Sequence, residues 1–235
     1  ITIEEAVTAL TINGAAAINR ADMIGSIDVG KAGDVIILEF PSYKFIPYQQ
    51  KELTPEEQLN NSEHFYRLLN ERRSVRHFSD KSVSKEVIEN IIKTAGTAPS
   101  GAHKQPWTFC VVANPELKTE IRKAAEEEEK LSYNGRMSER WKEDLAPIGT
   151  TWEKPFIETS PYIIVVFKRV YETLDEEKRN NYYVNESIGI ACGMLISAIH
   201  NAGLVTLTHT PSPMNFLTKI LKRPANERPY LLLPI

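Results

Sequence analysis

Three arginines and one serine stand within a five-residue stretch, a spacing that can hold a phosphate group. The stretch reads RRSVR, from Arg72 to Arg76. Arginine presents planar, bidentate donors, so several guanidiniums beside a hydroxyl can surround an anion. A basic surface turn contains the same residue types, and spacing alone does not separate the two interpretations. The candidate ligands are Arg72, Arg73, Ser74 and Arg76.

A loop rich in turn residues, TAPSGAHKQPW, follows at positions 97–107. Pro99, Gly101 and Pro106 interrupt regular structure there. Gly101 allows the backbone to approach a flat ligand closely, and Ser100 with nearby backbone N–H groups can bond heteroatoms of that ligand. The loop is either a ligand contact or an ordinary connection between a helix and a strand.

Threonines alternate at the end of a predicted strand in LVTLTHTP, positions 204–211. Thr206, Thr208 and Thr210 place hydroxyls where α/β-type folds often bind ligands. Threonine is also favoured in strands for its β-branched side chain, so the pattern alone does not require a ligand.

An acidic run is joined to a phenol in AAEEEEKLSYNGRM, positions 124–137. Glu129 and Tyr133 are four residues apart, so a single helix would present both side chains on one face. Such a run is usually a solvated helix face. An acid and a phenol on one face could instead form a wall of a site for a charged aromatic substrate.

Composition and spacing exclude several function classes. The formal net charge of −3 gives no broad electrostatic case for binding nucleic acid or an anionic membrane. No Gly-x-Ser-x-Gly motif or Walker loop is present. No metal site is predicted either, because four histidines lack metal-ligand spacing with each other or with cysteine. These are His77, His103, His200 and His209.

The cysteines and the hydropathy predict where the protein resides. Cys110 and Cys192 lie in apolar runs and are predicted to be buried free thiols, which fits a reducing compartment. No stretch reaches the roughly 18 apolar residues of a membrane helix, and the N-terminus lacks a signal-peptide pattern. We therefore expect a cytoplasmic protein with no membrane contact.

The elements that must position the candidate residues alternate between helix and strand in the second part of the chain. Thr54, Ser84 and Asn114 are predicted to cap helices, the last of which carries the acidic run. The predicted strands are Trp107–Ala113, Tyr162–Phe167, Leu204–Thr208 and Tyr230–Ile235, and a nearly all-apolar helix covers Asn185–Gly203.

Residues 1–50 form a separate piece, and a charged linker follows at 51–62. Thr2 can cap a helix, and GSIDVGKAGDVIILEF at 25–40 predicts a strand, a turn and a second strand. The piece resembles the C-terminal tail of amidohydrolases, imidazolonepropionase in particular, through TIEEAVTALTINGAAAI, GSIDVGKAGDVIIL and PSYKFIPY. The metal-binding barrel of that family is absent, so we expect a structural or vestigial appendage without hydrolase activity.

Residues 63–235 resemble the iodotyrosine deiodinase family of the FMN-dependent nitroreductase superfamily. The resemblance is carried, in order, by RRSVRHFS, TAGTAPSGAHKQPWTF, EEEEKLSYNGRMSERW, NAGLVTLTHTP and LKRPANERPYLLLPI. It implies an α+β nitroreductase-like FMN fold, with an antiparallel-rich central sheet flanked by helices. It also implies a homodimer whose two FMN sites are built across the subunit interface.

The resemblance further implies which residues contact the flavin. Pro99, Ser100 and Gly101 would lie along the isoalloxazine, and the arginine stretch would contact the phosphate, ribityl chain and pyrimidine edge. The Thr208 hydroxyl would donate to flavin N5, which favours one-electron dehalogenation over hydride transfer. His209 stands where relatives carry threonine. The implied ligands are Arg72, Arg73, Ser74, Arg76, Pro99, Ser100, Gly101, Thr208, His209 and Thr210.

The implied substrate site is a clamp around the three polar groups of a halotyrosine. Glu129 would bind the ammonium, Lys154 the carboxylate, and Tyr133 would add a hydrogen bond. The Ala102 N–H would bind the phenolate oxygen. Buried charges need such partners, because an unpaired buried charge is costly. Glu126–Glu128 are then interpreted as mostly solvated.

The implied activity is FMN-dependent reductive dehalogenation of iodo-, bromo- or chlorotyrosine, which releases halide and tyrosine. It requires an external electron donor, NAD(P)H acting directly or through a reductase. A general NAD(P)H-dependent nitroreductase or flavin reductase would share the FMN site but lack the clamp, and a non-catalytic fusion protein is a third possibility.

The two ends of the chain depart from the family pattern. A basic tail that contacts the FMN phosphate in the family lies beyond the position of Ile235, so we expect a C-terminally truncated FMN domain. The appendage occupies the position of the membrane anchor of animal members, so no anchor is expected.

Overall fold

The computed structural model describes residues 35–37, 50–174 and 176–235. The predicted helix after Thr2 and the first strand of the 25–40 unit lie outside the described residues, whereas the second strand is present as β1. The strands are β1 (Val35–Ile37), β2 (Trp107–Val112), β3 (Ile163–Arg169), β4 (Tyr171–Leu174), β5 (Glu177–Asn180) and β6 (Glu227–Pro234). The α-helices are α1 (Pro55–Asn70), α2 (Lys85–Gly96), α3 (Pro115–Leu131), α4 (Glu139–Leu145), α5 (Phe156–Thr159), α6 (Val184–Asn201) and α7 (Asn215–Ile220).

The central sheet has the strand order β1-β2-β3-β6, and every neighbouring pair is antiparallel. Cys110 of β2 lies opposite Val165 of β3, which in turn lies opposite Leu232 of β6. Strand β2 is buried along its whole length, which explains why its sequence is an apolar run without polar alternation. β4 and β5 form a separate antiparallel hairpin.

Helices cover both faces of the sheet. Successive side chains of a strand point to opposite faces, so Phe109 packs in a cluster with residues of α2 and α6, whereas Cys110 packs in a second cluster with residues of α3, α5 and α7. This confirms the predicted α+β class with an antiparallel-rich sheet flanked by helices. Cys110 and Cys192 are buried free thiols, as predicted, and burial raises the pKa of each to about 12.

Local capping signals determine where the helices begin. The Thr54 hydroxyl accepts a bond from the Glu57 N–H, and the Glu57 carboxylate accepts one from the Thr54 N–H, with Pro55 at the first helical position. The Ser84 hydroxyl accepts from the Val87 N–H to cap α2, and the Asn114 side-chain oxygen accepts from the Leu117 N–H to cap α3. The three predicted helix starts are therefore confirmed, and α1 begins inside the segment predicted to be a linker.

The prediction of a strand at Leu204–Thr208 is wrong. The segment makes isolated bridges instead: Thr206 pairs in parallel with Ser74, and His209 pairs antiparallel with Leu232. Neither pairing extends into a ladder. Of the helices in the described part of the chain, none is long and apolar enough to cross a membrane.

Candidate functional site

The arginine stretch and the threonine segment lie side by side. The Val75 N–H donates to the carbonyl of Thr206 at 3.2 Å, next to the bridge between Ser74 and Thr206. The Thr206 hydroxyl is buried and donates to the Pro234 carbonyl at 2.8 Å, which fixes the threonine segment against β6. Two motifs that are far apart in sequence therefore share one surface, as a common ligand site requires.

The three arginines of the stretch have different environments. Within residues 50–174 and 176–235, the half-buried guanidiniums of Arg72 and Arg76 make no hydrogen bond or ion pair. Arg73 is exposed, and its Nη1 donates to the carbonyls of Asn70 at 2.6 Å and Arg72 at 2.8 Å, which caps the C-terminal end of α1. Arg72 and Arg76 are thus the members whose donors are available for an anion.

Hydrogen bonds fix the shape of the loop between α2 and β2. The Ser100 carbonyl accepts from the His103 N–H at 3.0 Å, and the Ser100 hydroxyl accepts from the Gln105 N–H at 2.8 Å. The Gly101 N–H donates to the buried Ser187 hydroxyl at 3.2 Å. Ser187 belongs to α6, so the central helix anchors the loop.

Within this loop, the Ala102 N–H makes no hydrogen bond to any described residue, although the N–H groups on either side of it do. Ala102 is exposed and has φ 48°, and His103 and Gln105 also have positive φ angles of 54° and 45°. Such conformations cost about 1–3 kcal/mol each and recur at functional sites. The loop therefore presents the Ala102 N–H, unused by any described residue, at a strained turn.

The chain itself requires glycine at position 101. A Cβ on Gly101 would lie 2.9 Å from Cδ2 of Tyr183 and 3.1 Å from the carbonyl oxygen of Tyr182. These residues precede α6 in the same chain. The close approach that excludes a side chain is therefore made by the chain itself.

Alternation along the threonine segment determines which side chains face outward. Thr208 and Thr210 are exposed, whereas His209 between them is buried. The His209 ring contacts Phe156 edge-on at 5.4 Å between centroids, and its Nε2 has no partner among the described residues. Burial, together with the nearby Lys154, lowers the pKa of His209 to about 3. The His209 imidazole therefore packs into the core, and the backbone N–H and carbonyl of His209 both bond to Leu232. The cofactor contact of His209 stays a prediction that these contacts do not support.

Glu129 and Lys154 come together in a nearly buried ion pair. The Lys154 Nζ lies 3.6 Å from Glu129 Oε2, and 5% and 14% of the two side chains are exposed, respectively. Lys154 Nζ also donates to the Thr151 carbonyl. Burial lowers the pKa of Lys154 and raises that of Glu129, and in each case the partner's charge opposes the effect of burial. Arg76 adds a like charge close enough to lower the pKa of Lys154 further.

Tyr133 lies beside this pair but not on the same helix as Glu129. Helix α3 ends at Leu131, and the chain continues as a π-helical turn at Ser132–Arg136. The Tyr133 hydroxyl donates to the Thr150 carbonyl at 3.1 Å. Burial and the Glu129 charge raise the pKa of the phenol. The two residues are therefore not presented by one α-helix as predicted, because Tyr133 lies on the π-helical turn that continues α3, but the two groups remain within electrostatic reach.

The acidic run is less solvated than predicted. Glu126 pairs with Arg122 at 2.8 Å, and Glu128 pairs with Arg136 at 2.7 Å, whereas Glu127 is exposed. The interpretation of Glu126–Glu128 as a solvated face thus holds only for Glu127. The spacing of Arg122 and Glu126, four residues apart on a helix, was a readable signal for this pair.

Sequence reasoning missed further residues around the clamp. Lys130 Nζ lies 4.0 Å from the centroid of the Trp152 ring, a cation–π contact between α3 and the segment before Lys154. Ser187 was not identified because its role depends on a contact with Gly101 that is remote in sequence. In the described part of the chain, no group of three His, Cys, Asp or Glu residues could hold a metal ion.

Comparisons with known proteins agree with this arrangement. A nitroreductase family model matches residues 69–235, and an amidohydrolase family model matches residues 1–94. Iodotyrosine deiodinase of Haliscomenobacter hydrossis is 62% identical over 192 residues, which cover 81% of this chain and 86% of that protein. Iodotyrosine deiodinase of Nematostella vectensis is 49% identical over 214 residues, which cover 89% and 78%.

A solved structure supports the same family. The crystal structure of oxidized iodotyrosine deiodinase bound to FMN and 3-iodo-L-tyrosine superposes with a TM-score of 0.66 at 32% identity. The superposition covers 72% of this chain and 87% of that chain. It confirms the nitroreductase-like fold predicted from the sequence. The chain therefore belongs to the nitroreductase family and, within it, to the iodotyrosine deiodinases.

Proposed function

We propose that this chain is a flavin-dependent oxidoreductase that reductively dehalogenates halotyrosines, releasing halide and tyrosine. The observation that carries the proposal is the nearly buried Glu129–Lys154 pair, which lies next to Arg76 of the arginine stretch. An acid and a base at this separation match the ammonium and the carboxylate of an amino acid. The 62% identity to an iodotyrosine deiodinase supports the same activity.

The residues fit FMN as the cofactor. Arg72 and Arg76 offer guanidinium donors that no described residue uses, as a phosphate or a pyrimidine edge requires. Ser74 is exposed beside them, and Arg73 borders the same turn. We assign Pro99, Ser100, Gly101, Thr208 and Thr210 to the flavin ring system, with the Thr208 hydroxyl as the donor to N5.

Four groups of the chain would hold the substrate. A zwitterionic head group offers Glu129 an ammonium and Lys154 a carboxylate, so each buried charge gains a partner of opposite sign. The Tyr133 hydroxyl adds a hydrogen bond near Glu129. The Ala102 N–H, which no described residue uses, donates to the phenolate oxygen at the other end of the ring.

The chemistry needs electrons and one proton. Reduced FMN, when bound, supplies two electrons to the halogenated ring, so the carbon–halogen bond breaks, halide leaves and a proton replaces it. The clamp's contribution is to fix the ring in one orientation, which makes the reaction effectively unimolecular. The donor at Ala102 stabilises the phenolate charge throughout.

We further propose a homodimer with FMN sites at the subunit interface, reduced by NAD(P)H directly or through a reductase. Helix α6 is apolar along most of its length and exposes Ile190, and Tyr183 just before the helix and Val205 just after it are also exposed. Exposed large apolar side chains are typical of surfaces that associate. Light scattering of the flavin-loaded protein tests the dimer, since a monomer would contradict it.

We retain two predictions from the sequence as proposals. One is the division of the chain into an appendage at 1–50, a linker at 51–62, in which α1 begins at Pro55, and an FMN domain at 63–235. The other is a cytoplasmic location, which the free thiols of Cys110 and Cys192 support.

The decisive experiment is anaerobic titration of the reduced, purified protein with 3-iodotyrosine, alongside tyrosine and a nitroaromatic compound. We expect iodide release matched to flavin reoxidation with 3-iodotyrosine, no reoxidation with tyrosine, and slower reaction of the nitroaromatic. Rapid nitroaromatic reduction without iodide release would favour the general nitroreductase. A colourless protein that cannot be loaded with FMN would favour a non-catalytic fusion.

A further inference from the structure

Glu126, the first residue of the acidic run, contacts the backbone of the substrate-site lysine. Its Oε1 accepts the Lys154 N–H at 2.7 Å, and the same oxygen accepts Arg122 Nε at 2.8 Å. The Glu126 side chain is 14% exposed. A nearly buried carboxylate that bonds one particular backbone N–H fixes the position of that residue.

Two further contacts tie the same segment to α3. Arg122 Nη1 pairs with Glu158 Oε2 at 3.0 Å, so Arg122 bridges Glu126 and α5. Lys118 Nζ donates to the carbonyls of Glu158 at 3.0 Å and Ser160 at 2.9 Å. Three residues of one helix therefore hold the segment 154–160 at its two ends.

The spacing on α3 links this network to the clamp. Glu126 and Glu129 are three residues apart, so they project from the same side of the helix. Glu126 holds the N–H of Lys154, and Glu129 lies 3.6 Å from the ammonium of the same residue. Helix geometry and one hydrogen bond thus connect the Glu129 carboxylate to the backbone from which the Lys154 ammonium extends.

The charge state of Glu126 suits this task. Burial acts to raise the pKa of Glu126, but the bonds from Arg122 and from the Lys154 N–H outweigh it and lower the pKa below its usual range. The carboxylate therefore stays ionised and keeps accepting both donors at neutral pH. Exposed Glu127, next to it in the sequence, has no such partners among the described residues and provides a matched control.

We propose that Glu126 is a positioning residue for substrate binding: held by Arg122, it fixes the backbone of Lys154 so that the ammonium meets the carboxylate of the amino acid. This inference rests on the proposed halotyrosine function and adds a residue that does not itself touch the substrate. If Glu126 had a purely structural role, its replacement would affect the stability of the fold but not the affinity for the substrate that depends on Lys154.

The test compares Glu126→Ala, Glu126→Gln and the control Glu127→Ala in the FMN-loaded protein. The Kd for 3-fluorotyrosine is measured by quenching of flavin emission, and FMN content and the thermal midpoint are measured for each variant. We expect Glu126→Ala to raise the Kd about tenfold, because a small displacement of a binding group has large effects. Glu126→Gln, which retains an oxygen acceptor for the N–H, should bind at an intermediate Kd, and Glu127→Ala should bind as the wild type.

A double-mutant cycle with Lys154→Gln separates positioning from a structural role. If Glu126 acts through Lys154, Glu126→Ala adds little to the loss already caused by Lys154→Gln. Full additivity, or a Kd for Glu126→Ala equal to that of Glu127→Ala, overturns the inference. If Glu126→Ala no longer binds FMN, the double-mutant cycle is carried out with Glu126→Gln in its place, and the same outcomes support or overturn the inference. A wild-type protein that does not bind 3-fluorotyrosine overturns the proposed function, and this inference with it.

Discussion

The Lys154 ammonium lies 3.6 Å from the Glu129 carboxylate, and the surrounding structure excludes most solvent from both groups. Two opposite charges at a protein surface gain little from each other, but in a nearly buried position the loss of one partner leaves the other uncompensated. The pair therefore links the stability of the protein to its proposed substrate site.

Removing one member of the pair should destabilise the protein. Glu129→Gln leaves the Lys154 ammonium without its carboxylate, so we expect the free energy of unfolding to fall by about 2 kcal/mol. The double variant Glu129→Gln with Lys154→Gln should recover most of the lost free energy of unfolding, although it lacks both of the charges that bind the substrate. Urea unfolding of the FMN-loaded variants measures both effects, with Glu127→Gln as the control. Equal stability of the single and double variants would contradict the buried pair.

The hydroxyl of Thr208 should control the reaction rather than cofactor binding. The Thr208 side chain is exposed, and we assign its hydroxyl as the donor to flavin N5. We expect Thr208→Ala to retain FMN and to lower the rate of iodide release about a hundredfold, as loss of a preorganised donor does. Stopped-flow reoxidation of the reduced variant gives this rate. A variant that dehalogenates at the wild-type rate would remove the hydroxyl from the mechanism.

The anchor of the Ala102 loop should matter for the phenolate end of the substrate. The buried Ser187 hydroxyl accepts the Gly101 N–H, so Ser187→Ala leaves this N–H without a partner and costs about 1–3 kcal/mol of stability. We also expect weaker binding of 3-fluorotyrosine, because the Ala102 N–H loses its fixed direction. Ser197→Ala on the same helix is the control, since among the described residues that hydroxyl bonds only the helix carbonyl of Gly193. Unchanged affinity in Ser187→Ala would show that the loop does not need the anchor.

The buried His209 imidazole should make the protein sensitive to acid. Its folded pKa is about 3, against about 6.5 in an unfolded chain. Between these values the unfolded state binds the additional proton, so stability is fully present above pH 6.5 and is lost as the pH falls toward 3. Lys154, close to His209, opposes protonation further.

Replacement of His209 tests this directly. Between pH 6 and pH 5 we expect the free energy of unfolding of the wild type to fall by about 1 kcal/mol more than that of His209→Leu. His64→Gln, at an exposed position on α1, should fall with pH as the wild type does. Parallel pH dependences of the wild type and His209→Leu would show that the imidazole is not held neutral by burial.

Local sequence signals predicted the elements better than they predicted the site. Thr54, Ser84 and Asn114 cap helices because capping depends on residues within one turn. The strands β2 and β3 were readable because both of their faces are buried. The threonine segment was mistaken for a ladder strand because its pairing with Ser74 and Leu232 depends on remote neighbours.

The arrangement of the site was harder to predict, because it depends on contacts that no local sequence pattern reveals. The i, i+4 spacing of Glu129 and Tyr133 assumed a continuous α-helix, but α3 ends at Leu131 and Tyr133 lies on the π-helical turn at Ser132–Arg136. The inward orientation of His209 follows from the alternation of its neighbours only once the buried face is known. The pairing of Glu129 with Lys154, in contrast, agrees with the resemblance that singled out both residues.

The most direct test of the clamp is a pair of binding titrations followed by flavin emission. 3-Fluorotyrosine and 3-fluorotyramine, which lacks the carboxylate, are titrated into the FMN-loaded wild type and Lys154→Gln. We predict that 3-fluorotyrosine quenches the wild type strongly, and that Lys154→Gln weakens its binding about tenfold or more while hardly changing that of 3-fluorotyramine. Equal losses for both ligands, or no effect of Lys154→Gln on 3-fluorotyrosine, would contradict a carboxylate held by Lys154.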